Sequence, residues 1–127
     1  MKLETFLTIA AVIAIAFGLG FVAAPAVMLT QYGIVASPGT SIMARFFGAA
    51  LLNLGLVLFL VRRVIEPSTR IGIVHGSLIG AVVGLLVAIH GQRVGAVNAL
   101  GWSSVAVYAF LLAGYAYFAF GHRHSAS

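Results

Sequence analysis

The chain has 127 residues, 62% of them hydrophobic and only 7% charged, against roughly 25% charged in an ordinary soluble domain. With Glu4 and Glu66 as the only acids and no cysteine, these proportions exclude a soluble enzyme, a disordered chain and a disulfide-built secreted domain. The formal charge of +5 is not a nucleic-acid signature, because the seven basic residues sit at the ends of apolar segments and do not cluster on one solvent face.

Four apolar stretches follow in chain order, at about residues 5–29, 41–60, 71–89 and 99–120. Each approaches the roughly 20 residues that an α-helix needs to cross about 30 Å of hydrocarbon. None alternates polar and apolar residues with period two, which excludes a β-barrel, and helices satisfy their own backbone as the lipid core demands. The expected fold class is therefore all-α, a four-helix transmembrane bundle in a single domain, with no inverted repeat evident.

The first stretch is expected to be retained, because its apolar run of about 25 residues exceeds the roughly 7–15 of a signal-peptide core. It is read as one helix bent near Pro25. Gln31-Tyr32-Gly33 and Ser37-Pro38-Gly39-Thr40 are turn chemistry between the first two helices. The run from Arg62 to Arg70 is the strongly charged connection, and Pro67 is expected to stop a helix there. Gly91-Gln92-Arg93-Val94-Gly95 is read as the link between the third and fourth helices, and His122-Arg123-His124-Ser125-Ala126-Ser127 as a short polar tail.

With four crossings, both termini share a side with the second connection. That side holds Lys2, Arg62, Arg63, Arg70 and Arg123, and the other holds Arg45 and Arg93. Positive residues favour the cytoplasm, so both termini are expected inside, with the protein multi-pass in the cell inner (cytoplasmic) membrane.

Gly72, Gly76, Gly80 and Gly84 recur every four residues through the third helix. Each step drifts only about 40° around the axis, so the row is expected to form one broad groove for close helix packing. Packing within the bundle is the favoured use, and a homo-oligomer contact the alternative. Gly18, Gly20, Gly48 and Gly55 supply further points of close approach. Tyr115, Tyr117, Phe118 and Phe120 suit core filling and an interfacial belt at the inner end.

Polar residues at membrane depth are functional hypotheses by default. Arg45, Asn53, His90, Asn98 and Trp102 are the candidate ligand-binding residues. With Tyr32, Gln92 and Arg93 they could rim a basic pocket opening outward, suited to an anionic or carbonyl-bearing lipid-like ligand. The competing and favoured reading is snorkelling arginines, a tryptophan in the interfacial belt, a histidine at a helix end and an interhelical Asn53. His75 and His90 are 15 residues apart on one helix, roughly 22 Å along its axis, and cannot share an iron. No carboxylate or thiolate completes a metal set with His122 and His124, so neither a metal site nor any other cofactor is expected. No catalytic constellation is visible. Ser103 and Ser104 lack an oriented base, and the absence of intramembrane acids argues against a proton-coupled exchanger.

Ala44-Arg45-Phe46-Phe47-Gly48-Ala49 and Asn98-Ala99-Leu100-Gly101-Trp102 are the most specific stretches of the sequence, beside Phe17-Gly18-Leu19-Gly20-Phe21 and Ala113-Gly114-Tyr115-Ala116-Tyr117-Phe118. Through them the chain resembles a prokaryotic family of small four-helix integral membrane proteins and, more loosely, the DoxX-like membrane proteins. The resemblance implies a four-helix bundle and no established activity. Three functions are then in play. The favoured one is a non-enzymatic accessory, assembly or interaction module packing through its glycine-rich helix on itself or on a larger membrane complex. The others are a binding or transport protein for a lipid- or quinone-like ligand, and a redox or haem accessory. The partners expected are the bilayer and a protein, not nucleic acid.

Overall fold

The computed structural model describes residues 2–121. The tail carrying His122, Arg123 and His124 lies outside them. Among the described residues five α-helices follow one another: α1 (Leu3–Ala23), α2 (Pro25–Gln31), α3 (Pro38–Leu60), α4 (Pro67–Arg93) and α5 (Trp102–Ala116). A 3-10 turn, Ala99–Gly101, leads into α5, and a π turn, Tyr117–Gly121, closes it. Four helical segments are long and apolar enough to cross a membrane: Leu3–Ala23, Pro38–Leu60, Pro67–Arg93 and Ala99–Phe120. The fold class is all-α, as the sequence implies, and the protein is a multi-pass membrane protein.

Prolines set the helix starts. Pro25, Pro38 and Pro67 each occupy the first position of a helix, where a missing N–H leaves no bond unmade and the fixed φ is already helical. Pro67 therefore begins α4, where the sequence suggested a stop. Glu66 caps that helix, accepting from Ser68 N at 3.1 Å and Thr69 N at 2.7 Å. Ser37 and Thr40 form a capping box at the head of α3, with Thr40 N bonding Ser37 Oγ at 3.1 Å and Ser37 N bonding Thr40 Oγ1 at 2.8 Å.

The first apolar stretch is two helices rather than one bent helix. Ala24 adopts φ −140° and ψ 63° between them, because the residue before a proline is driven out of the helical region. Gly33 and Gly95 have φ of 76° and 74° and end α2 and α4 in the same way. Ile34 N bonds Leu29 O and Ala96 N bonds Gly91 O, both at 3.0 Å, closing the carbonyls left open by the last turn. Helix α4 thus runs through Gly91, Gln92 and Arg93, which the sequence placed in the connection. At 27 residues it is about 40 Å long, enough to carry both ends into the interfaces.

The chain divides into two compact units, residues 1–63 and 64–127. In the first, α1 and α3 pack antiparallel. Along α1 the buried positions Leu3, Leu7, Ala11, Ala14, Gly18 and Phe21 follow steps of four and three, with Phe6 and Ala10 buried beside them. Along α3 Ala44, Gly48, Gly55 and Leu58 do the same, with half-buried Leu51 completing the series. This is a heptad seam built from small residues, which lets two backbones approach closely. A Cβ on Gly48 would lie 2.8 Å from Gly18 O, and one on Gly55 would lie 3.0 Å from Ala11 O. Helix α2 folds back, and Leu29 joins Phe21 and Ala44 in a cluster lined by Phe17, Met28, Tyr32 and Ile34. At the far end Arg63 Nε meets Glu4 Oε1 at 3.0 Å. Arg62 rests 4.0 Å over the Phe59 ring and donates to Phe59 O at 2.6 Å.

In the second unit, α4 and α5 pair antiparallel. Tyr108 of α5 lies against Gly84, and Gln92 packs at Gly101. His75 meets Phe120 edge to face at 6.1 Å between ring centroids.

Candidate functional site

The glycine row on α4 divides in two. Gly84 is packed against the Tyr108 ring, whereas within its own unit nothing outside the local helix backbone lies within 4 Å of a Cβ built at Gly72, Gly76 or Gly80. The cause is helical phase. Helix α4 packs along Val74, Ser77, Ala81, Gly84 and Ala88, buried or half-buried positions whose steps of three and four give a 3.5-residue period. The glycines repeat every four, so the row precesses about 40° per step against an ideal helix. Gly72 and Gly76 start opposite the packed side, and only Gly84 has rotated onto it. The exposed side also carries Ile79, Val83 and Val87, exposed by 65%, 55% and 65%.

The polar candidates fall into two groups. Arg45 and Asn53 belong to α3, both exposed. Among the described residues neither has a hydrogen-bond or ion-pair partner. With Ala49 between them they form one strip, since residues four apart lie on one helix face. The strip falls on the side of α3 away from the seam of Ala44, Gly48 and Gly55.

His90, Asn98 and Trp102 belong to the second unit. Asn98 and Trp102 meet at the α4–α5 connection, and their polar groups serve the fold. Asn98 Oδ1 accepts from Leu100 N at 3.0 Å, capping the 3-10 turn. Oriented to satisfy its neighbours, the Gln92 amide accepts from Trp102 Nε1 at 2.8 Å and donates to the Asn98 carbonyl at 3.3 Å. Ser103 Oγ donates to Leu100 O at 2.7 Å. Gln92 is the hub of this closure. The sequence placed it in the connection and on the rim of an outward pocket, not at the centre of this closure. His90 is exposed in the last turn of α4.

His75 spends Nδ1 on the carbonyl of Ile71 at 3.0 Å, which requires the proton on that nitrogen. Among the described residues no group of three or more His, Cys, Asp or Glu side chains is close enough to hold a metal. Glu66 is the titrating group with the most distinct surroundings. Donors from Thr69 first, and then Ser68, lower its pKa from 4.5 to about 2, because each stabilises the carboxylate form. This is helix-capping chemistry.

The chain matches no family model, no curated protein and no solved structure.

Proposed function

We propose that the protein is an accessory or assembly module of the cytoplasmic membrane, without catalytic activity of its own, that receives a transmembrane helix on the open glycine face of α4. One observation carries this reading. Gly72, Gly76 and Gly80 leave a strip of α4 that α5 does not cover, with no neighbour from their own unit within 4 Å, bordered by large apolar side chains such as Ile79 and Val83. Between helices in lipid there is little hydrophobic drive, so dispersion across closely approaching backbones does the work, and small residues permit the approach. The arginine distribution orients the module with both termini in the cytoplasm.

The occupant is a second copy or a subunit of a larger complex. Native mass spectrometry of the protein extracted in mild detergent, with and without Gly76→Leu, tests the reading. The assembled species of the wild type is expected to disappear in the variant while the helix content of the monomer stays the same. An unchanged assembly would overturn it. The alternative of a lipid- or quinone-like ligand is less well supported, because the polar groups of Asn98 and Trp102 are already engaged in the α4–α5 connection.

A further inference from the structure

The end of the α1–α3 unit formed by the start of α1 and the close of α3 holds more positive charge than its fold uses. Lys2, Arg62 and Arg63 stand there against Glu4 alone. Arg63 takes that acid at 3.0 Å, which ties the close of α3 to the start of α1. The chain has one other acid, Glu66, and its two oxygens are held at the head of α4 by Ser68 and by Thr69 N. The second unit therefore offers Arg62 no uncommitted carboxylate side chain, whatever its position.

The direction of the Arg62 side chain is a second, independent observation. An arginine at a membrane border ordinarily snorkels, sending its guanidinium towards water. Arg62 does the reverse. Its guanidinium lies back along α3, 4.0 Å over the Phe59 ring, and Nη1 donates to Phe59 O at 2.6 Å. Phe59 is nearly one turn earlier in the membrane-length helix Pro38–Leu60, and it remains 38% exposed. The charge is thus drawn towards hydrocarbon, where an unanswered ion is costly. Ring and carbonyl fix the guanidinium plane and spend part of its donor set. The rest of the fork suits two oxygens of one phosphate.

We infer that Arg62, seated on Phe59, binds the phosphate of an anionic phospholipid, with Lys2 adding charge at the same end. A bilayer presents phosphate at the border of its hydrocarbon, the depth to which Phe59 draws the guanidinium. A zwitterionic headgroup carries its own cation, whereas an anionic one brings the uncompensated charge that this end lacks. The number of arginines orients the chain by itself and does not require the side chain to fold back. The inference does not rest on the glycine face of α4.

The test is native mass spectrometry of the full-length protein in mild detergent, titrated with phosphatidylglycerol or with phosphatidylcholine of the same acyl chains. Phosphatidylglycerol is expected to be retained about tenfold more tightly. Arg62→Ala should remove most of that preference. Arg62→Lys should keep part of it, since an ammonium has the charge without the fork. Phe59→Leu, which leaves every charge in place, should weaken the preference as Arg62→Lys does. Arg70→Ala removes the same charge from the head of α4 and should leave the preference unchanged. Circular dichroism of each variant is expected to match the wild type, and if Arg62→Ala does not fold, Arg62→Lys and Phe59→Leu carry the test. Equal retention of the two lipids, or a preference that survives Arg62→Ala, would overturn the inference. An equal loss with Arg70→Ala would also overturn it, by making net charge the cause. So would displacement of the lipid by millimolar inorganic phosphate, which would assign the fork to a soluble anion.

Discussion

The two halves of the chain use small residues in opposite ways. In residues 1–63 they form the seam, with Gly18 and Gly48 backbone to backbone and Gly55 against α1. Eight residues of α1 and four of α3 are buried. In residues 64–127 the longest glycine row of the sequence lies mostly open, and α4 and α5 bury only Val74, Ala81 and Tyr115. A small-residue repeat is thus a capacity for packing, and its phase against the neighbouring helix decides whether it is used. The first half spends its glycines on its own fold, and the second keeps them available.

This contrast is most directly broken at Gly48. Its Cβ would meet Gly18 O, Phe21 and Val22 within 2.9 Å, and backbone cannot move aside cheaply. Gly48→Leu is expected to cost about 3 kcal/mol, the upper end for overpacking, measured by denaturant unfolding in detergent. If it unfolds like the wild type, the α1–α3 seam is wrong. Gly84→Val is expected to cost about 1–2 kcal/mol, since the obstacle is the Tyr108 side chain rather than backbone. Tyr108→Ala should restore most of that loss in a double-mutant cycle, and additive losses would place Gly84 elsewhere.

The next effect sharpens the comparison through the head of α4. Glu66 has its pKa lowered to about 2 from 4.5, so its carboxylate stabilises the fold fully above the unfolded value and loses that contribution as pH falls from 4.5 towards 2. The melting temperature of the wild type should drop across this window more than that of Glu66→Ala. Parallel curves would remove Glu66 from the cap. A smaller effect belongs to the other unit. The Glu4–Arg63 pair is exposed, by 44% and 73%, and Glu4→Gln should cost no more than about 1 kcal/mol, vanishing in high salt. The smallest effect is at Gly76, where a Cβ meets nothing. Gly76→Ala should leave monomer stability within about 0.5 kcal/mol of wild type or raise it slightly through helix propensity. A clear destabilisation there would show the α4 row to be packed after all.

The candidate site was legible only in part. Arg45 and Asn53 stand out in sequence because a charge and an amide inside an apolar helix are rare, and their residue types alone raise the question of a partner. Asn98 and Trp102 stand out for the same reason, yet their groups are satisfied locally by Leu100 and Gln92. Sequence reports that a polar group is present, and only geometry reports whether it is already paired.

The order of apolar residues along the chain determined the all-α class and the number of membrane-length helices, because an apolar run of that length without period-two alternation satisfies its backbone in lipid as a helix. The sequence also holds the helix starts at Pro38 and Pro67, legible once each proline is read as a first helical residue with a capping side chain before it. The tertiary structure decided which glycines meet a neighbour. That depends on the angle between a four-residue repeat and a 3.5-residue seam, and the seam exists only when a second helix lies alongside.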